Sequence, residues 1–424
     1  MPAGIDSGST AWMLAATALV LFMTPGLAFF YGGLVRQKNV VSTIMYSFIA
    51  MAVVSVIWVL WGYSLAFGPG GKFIGDLSFL GFKGVGAAPL SLPGTVGADG
   101  APLYAIPHTA YAIFQMMFAV ITPALITGAF AERFKFKTYL VFLVLWITFV
   151  YAPIAHWVWA GNGWLFGMGA LDFAGGTVVH VNAGVAAVVA AWLVGKRRNP
   201  GAEPHNVPFV VLGAGILWVG WFGFNAGSGL LANGQAVNAF LVTNTAAAVA
   251  ALVWALLSYA HSKKMSAIGV ASGAVAGLVA ITPASGYVGP MGAMAIGLGA
   301  GVLCFYAVRL RPKLKLDDAL DVAAVHGIGG IWGAIATGIF ATAAISGFTP
   351  PAGDGLINGN AAQVWVQVRA VLATMGYSFI VTFIILKVLD KIPGLGLRAS
   401  EKAEDDGLDI AEHGERAYVR DGAD

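Results

Sequence analysis

The chain has 424 residues, of which 58% are hydrophobic and only 10% charged, with a mean hydropathy of +0.80. A soluble globular domain carries roughly 25% charged residues, so this composition excludes a soluble fold and leaves a polytopic protein of the lipid bilayer. One cysteine, Cys304, excludes an intrachain disulfide and a cysteine-based metal cluster. The net charge of +3 is uninformative as a total, and no nucleic-acid partner is expected.

A membrane-spanning helix needs about 20 mostly apolar residues. Eleven such runs follow in order, at 12–34, 42–67, 105–130, 138–157, 172–194, 208–230, 238–260, 267–284, 290–310, 321–344 and 363–389. The first Lys or Arg is Arg36, so the first run lacks the positive flank of a signal peptide and reads as a transmembrane helix. Basic residues then follow the odd-numbered runs: Arg36 and Lys38; Arg133, Lys135 and Lys137; Lys196, Arg197 and Arg198; Lys263 and Lys264; Arg309, Arg311, Lys313 and Lys315; and Lys391, Arg398 and Lys402. The opposite side has only Lys72 and Lys83, in a Gly/Pro-rich loop, Gly68–Ala101. The positive-inside rule therefore predicts an external N-terminus and an internal C-terminus. Arg369, near the outer end of the last run, fits a side chain snorkelling to the interface.

Five helices invert topology, and helices five and ten each carry a mid-run histidine with an acidic residue upstream. The expected fold class is thus an all-α integral membrane protein with eleven transmembrane helices, an inverted repeat of helices 1–5 and 6–10 plus an eleventh helix. The 57 glycines, set inside apolar runs, predict close helix packing. One membrane domain covers 1–392, and an acidic tail, 393–424, is expected to be solvated.

His180 and His326 are the two histidines placed well within helices. His180 lies eight residues past Asp172, about 12 Å at about 1.5 Å per residue. A similar count from Asp317 puts His326 at matching depth from the other face, so both fall near the middle of a core about 30 Å thick. Small residues surround them: Gly176, Thr177, Ala183 and Gly184 around His180, and Ala323, Gly329 and Gly330 around His326. Helices with such stripes cross closely. If the imidazoles meet, one ring nitrogen must donate and the other accept; the alternative is that each bonds a backbone or hydroxyl group. Bis-histidine haem ligation needs more room than helices lined for close approach offer.

Aromatic clusters occupy the outer halves of several helices: Phe114 and Phe118; Trp157 and Trp159; Trp218, Trp221, Phe222 and Phe224, followed by Ser228. Rings attract a cation within about 6 Å, so these form either a vestibule for a small cation or an interfacial belt. Asp172, Asp317, Asp318 and Asp321 stand at helix starts, where capping is the first expectation. No P-loop, Ser-His-Asp order or metal-spaced Cys/His set occurs, so neither an enzyme nor a cofactor is expected.

The segment DFAGGTVVHVNAG (Asp172–Gly184) closely resembles a signature of the ammonium transporter (Amt/Rh) family, on the side of the bacterial Amt branch. PGLAFFYGGLVRQKNV (Pro25–Val40), GWFGFNAGS (Gly220–Ser228), TPASGYVGP (Thr282–Pro290), DDALDVAAVHGIGG (Asp317–Gly330) and the tail GLDIAEHGERAY (Gly407–Tyr418) resemble the family in the same order. The resemblance implies an ammonium transporter or channel of the cell (inner) membrane, built as a homotrimer. A trimeric PII signalling protein is the expected partner at the cytoplasmic face. It further implies an outer recruitment site of Trp159, Phe118 and Ser228 with Asp172 nearby, a gate of Phe114 and Phe224, and a twin-histidine pair, His180 and His326. FQMMF (Phe114–Phe118) departs from the family's pattern, because Met116 and Met117 stand where small residues are expected.

Ammonium, like a lysine head group, is mostly protonated at neutral pH, and a bare cation in hydrocarbon costs many kcal/mol. The implied route is deprotonation at the mouth and passage of ammonia, with or without the proton. A neutral-gas channel of the Rh kind and an ammonium sensor acting through a cytoplasmic partner are the alternatives.

Overall fold

The apolar runs fold as helices in the computed structural model, which describes residues 4–97, 99–200, 203–347 and 353–418. Among the described residues no strand forms beyond isolated bridges. Ten helices are long and apolar enough to cross a membrane. They are α1 (Ser7–Leu34), α2 (Gln37–Phe67), α3 (His108–Phe130), α4 (Phe136–Gly167), α5 (Gly176–Val194), α6 (Val207–Gly227), α7 (Gly234–Ser262), α9 (Pro290–Leu314), α10 (Ala323–Phe340) and α11 (Ala362–Lys391). The run expected at 267–284 is the shorter apolar α8 (Ala267–Ile281). Its 15 residues reach about 22 Å; Pro283 then prevents the helix from continuing. The chain is a multi-pass membrane protein.

Most of α3's apolar window is buried, 94%, against 33% for α11. So α3 is the central helix, and α11 lies at the rim with Leu372, Ile380 and Ile384 exposed. Glycine permits the closest helix contact. A Cβ on Gly213 of α6 would lie 2.3 Å from the Phe30 nitrogen of α1, so the two backbones touch there. Four membrane helices contain a π-turn: Trp58–Gly62, Ile147–Tyr151, Gly176–Val181 and Ala323–Ile328. The last two hold His180 and His326.

The tail departs from the expected solvated segment. It folds back onto the ends of α2, α4 and α5, with Glu404 and Asp409 buried. The physical reason is capping: the first amides of a helix lack intrahelical partners. At the start of α2, the Ser42 amide donates to Asp409 Oδ1 at 2.8 Å, and the Leu408 amide donates to Asn39 Oδ1 at 2.9 Å. The Lys38 ammonium donates to the Glu404 carbonyl at 2.8 Å and to the Asp405 carbonyl. Arg398 holds Glu404 at 2.5 Å, and residues 397–399 pair with 133–135 through an antiparallel bridge. Tail residues 419–424 lie outside the described residues.

Candidate functional site

The start of α5 is organised by one carboxylate. Asp172 accepts from the amides of Gly175 at 2.8 Å, Gly176 at 2.6 Å, Thr177 at 2.8 Å and Val178 at 3.3 Å, and from the Thr177 hydroxyl. Gly175, at φ +114, takes the left-handed turn that aims these amides inward. Both carboxylate oxygens are thus engaged, and capping is what Asp172 does. At the opposite face Asp318 Oδ2 accepts from the Ala323 amide at 2.7 Å, while Arg311 pairs with Asp321 at 3.0 Å. The two caps set opposed helices whose π-turns meet in the middle of the bundle.

They meet closely because both helices are stripped of side chains there. A Cβ on Gly184 would fall 2.4 Å from the Gly327 Cα, and one on Gly330 would fall 3.0 Å from the His180 Cβ. The imidazoles therefore face each other, Nδ1 to Nδ1 at 3.2 Å, with ring centroids 5.3 Å apart. One Nδ1 donates and the other accepts. His180 Nε2 is buried without a partner among the described residues, and the Trp221 ring stacks on His180 at 5.5 Å.

Three spaces lie in line with this pair. A first vestibule of about 340 Å³, at the end away from the tail, is lined by Trp159, Phe118, Ser228 and Asp172, among others. A cavity of about 10 Å³, room for about one water molecule, touches Phe224, Trp221, His180 and His326. A tail-side vestibule of about 280 Å³ is lined by His326, Asp321, Tyr31 and Trp254. Phe118 and Phe224 stack at 4.2 Å. Because Phe118 lines the first space and Phe224 the middle one, their rings form the partition between the two.

This arrangement differs from the expected grouping, in which Phe114 stood with Phe224. Phe114 instead packs behind the stack, 5.0 Å from Phe118, in room left by Gly227, where a Cβ would come within 2.8 Å of its ring. Phe118 and Phe114 are i,i+4 on one helix face, so only packing across to α6 distinguishes them. Trp159 stands edge-on to Phe118 at 5.7 Å, its indole N–H held by the Asp172 carbonyl at 2.9 Å. Ser228 donates its hydroxyl to the Phe224 carbonyl at 2.9 Å, which leaves its lone pairs free to accept. Met116 and Met117 are buried in the bundle and do not line the vestibule.

Other aromatic residues turn away from the path. Trp157 donates to the Phe73 carbonyl at 2.7 Å, Trp218 to Asn244 at 3.2 Å, and Phe222 stacks on Phe240 at 3.9 Å. His108 meets the Tyr63 hydroxyl at 2.6 Å, and both His156 nitrogens face backbone carbonyls. Arg369 is exposed on α11. Sequence reading missed Tyr104, Tyr111, Gln115 and Tyr287 in the first vestibule. Tyr104 and Tyr287 come from two separate non-helical segments, and Tyr111 and Gln115 from faces of α3 that periodicity does not separate.

Fixed charge concentrates at the tail-side end of the bundle. Arg197 bridges Glu132 at 3.6 Å and Asp317 at 2.7 Å, and Arg36 holds Glu132 at 3.0 Å. Burial raises the Asp317 carboxyl, but the Arg197 donors and the Arg133 charge outweigh it and hold the group at about 2.

Known proteins with the same construction are similar along the whole chain. The model of the Ammonium Transporter Family matches residues 11–418. The chain is 50% identical over 416 residues to "Ammonium transporter" of Bacillus subtilis (strain 168), covering 98% of this chain and 99% of that one. The crystal structure of Saccharomyces cerevisiae Mep2 superposes with a TM-score of 0.89 at 39% identity, over 100% of this chain and 94% of the other. A solved structure described as "Sensor Amt Protein" matches with a TM-score of 0.82 at 31% identity, over 96% of this chain and 98% of the other. With a family match over nearly its full length and half of its residues shared with a bacterial ammonium transporter, the chain belongs to the Ammonium Transporter Family.

Proposed function

We propose that this protein recruits ammonium at the outer vestibule, strips its proton, and conducts ammonia past the Phe118–Phe224 stack and the His180–His326 pair. The observation that carries this reading is the 3.2 Å imidazole contact beside a cavity of about 10 Å³. That cavity is too small for a hydrated cation, and no carboxylate lines it to compensate a bare one. Ammonia carries no such penalty and finds hydrogen-bond partners in the imidazole nitrogens. In the vestibule, Trp159 and Phe118 offer ring faces to the cation, and Ser228 offers an acceptor. Asp172 acts through structure and field, since its oxygens already hold amides. Phe118 with Phe224 is the constriction, and Phe114 buttresses it.

The same reading includes eleven spans with the N-terminus outside, an inverted repeat, a homotrimer in the cytoplasmic membrane, and a PII-type protein docking at the face that carries the folded tail. Replacing His180 and His326 together by alanine tests the central step. Uptake of labelled methylammonium is expected to fall to background; unchanged, selective uptake would remove the pair from the path. A sensor with little flux is the second reading, favoured by the likeness to "Sensor Amt Protein". Saturable uptake at low ammonium concentration decides against it.

A further inference from the structure

The rim helix α11 carries an aromatic ladder that the transport path does not use. Phe379 and Phe383 stand one turn apart with rings 6.4 Å apart and nearly parallel at 5°. Trp192, near the end of α5, stacks on both, at 6.5 Å and 5.8 Å, while remaining 57% exposed. One turn further on, the Lys387 ammonium sits over the Phe383 ring at 5.7 Å. Exposed Ile380, Ile384 and Val388 flank the ladder. Together these side chains form an exposed apolar strip where α5 meets α11, with a cation at its tail-side end.

The direction of Lys387 is the informative detail. A lysine one turn inside the end of a membrane helix ordinarily extends its amine outward to the headgroups. Here it leans back along the helix onto Phe383, toward the hydrocarbon. Among the described residues no carboxylate pairs with it; the nearby Asp390 accepts from the Leu397 amide at 3.2 Å. A ring face alone compensates little of the dehydration of an ammonium. A counter-anion reaching this depth from the membrane side would complete the site. Lys391 in the last turn of α11 and Lys196 just past α5 are exposed at the same end and add to the positive field.

We propose that this strip between α5 and α11 holds one anionic phospholipid of the tail-side leaflet, with an acyl chain along Trp192, Phe379 and Phe383 and the phosphate at Lys387. The length of the ladder and the single cation at its end fit a lipid, which is apolar along its chain and charged at one end. A zwitterionic lipid or a second copy of this chain would not supply the unbalanced negative charge.

The test uses purified full-length protein titrated with phosphatidylglycerol or phosphatidylcholine of identical chains, with retained lipids counted by native mass spectrometry. One phosphatidylglycerol per chain is expected in preference to phosphatidylcholine. Lys387→Gln is expected to lower that preference about fivefold, the factor per basic residue at an anionic surface. Lys387→Arg keeps it, and Lys313→Gln, an exposed basic residue elsewhere on the same side, leaves it unchanged. Equal retention of the two lipids, no change in Lys387→Gln, or an equal loss in Lys313→Gln overturns the site. Disulfide cross-linking of Ile384→Cys between chains would assign the strip to a protein interface and overturn the proposal as well.

Discussion

Helices α5 and α10 carry the same device, a π-turn that presents an imidazole to the centre of the bundle, yet they are anchored differently. One saturated carboxylate, Asp172, gathers four amides at the start of α5, at the end away from the tail. The tail-side start of α10 relies on a single amide bond to Asp318, supported by the Arg311–Asp321 pair. Their histidines differ in the same way. His180 is enclosed by Trp221 and Phe224, whereas His326 reaches the tail-side vestibule. The difference teaches where this fold puts acidic side chains: they fix helix ends, and the path between them is left to rings and imidazoles.

Removing the two anchors should separate them most sharply. Asp172→Ala leaves up to four buried amides unpaired, at about 1–3 kcal/mol for each bond not remade. A loss of more than about 3 kcal/mol is expected, read as a large fall in the thermal unfolding midpoint. Asp318→Ala removes one cap bond and should cost only about 1 kcal/mol; equal losses would show that the anchors are equivalent.

A smaller asymmetry is expected where the two helices cross. An alanine at Gly184 would drive its methyl to 2.4 Å from the Gly327 Cα, whereas one at Gly327 meets only ordinary contact at 3.7 Å from Gly184. Gly184→Ala should destabilise by about 1–3 kcal/mol and reduce uptake by spreading the histidines. Gly327→Ala should be near neutral, helped by the higher helix preference of alanine. Unfolding midpoints and uptake rates of the two variants, side by side, check this; the reverse ranking would contradict the crossing geometry.

The last effect is read under acid and concerns Asp317. Its carboxyl is held at about 2, below its ordinary 3.8. The stability it contributes is therefore present above 3.8 and lost as pH falls toward 2. A stability–pH curve should show a decline in that window, and Asp317→Asn should flatten it. An unchanged decline would assign the acid transition to other carboxylates.

Much of this architecture was legible in the residues. Apolar runs and alternating basic loops locate the helices, and the small-residue stripes around His180 and His326 anticipate backbones close enough for the rings to meet. Three things were not legible, each for a physical reason. Phe114 and Phe118 share one face of α3, so their order along the path depends on contact with Phe224 and Gly227, which lie more than 100 residues further along the chain. The π-turns widen the helix by one residue without changing its apolar pattern. The acidic tail reads as solvated because its partners, the unfilled amides at the start of α2 and the Lys38 ammonium, are backbone and side-chain groups far away in the chain.

The central claim is that the Phe118–Phe224 partition and the histidine pair pass ammonia while holding back metal cations. Liposomes containing the purified protein, placed under matched ammonium and K⁺ gradients with flux and current recorded together, test it most directly. Ammonium-driven flux without K⁺ flux is expected for the natural protein, with K⁺ leak appearing in Phe118→Ala and not in Phe114→Ala. K⁺ flux through the natural protein, or leak in Phe114→Ala alone, would contradict it.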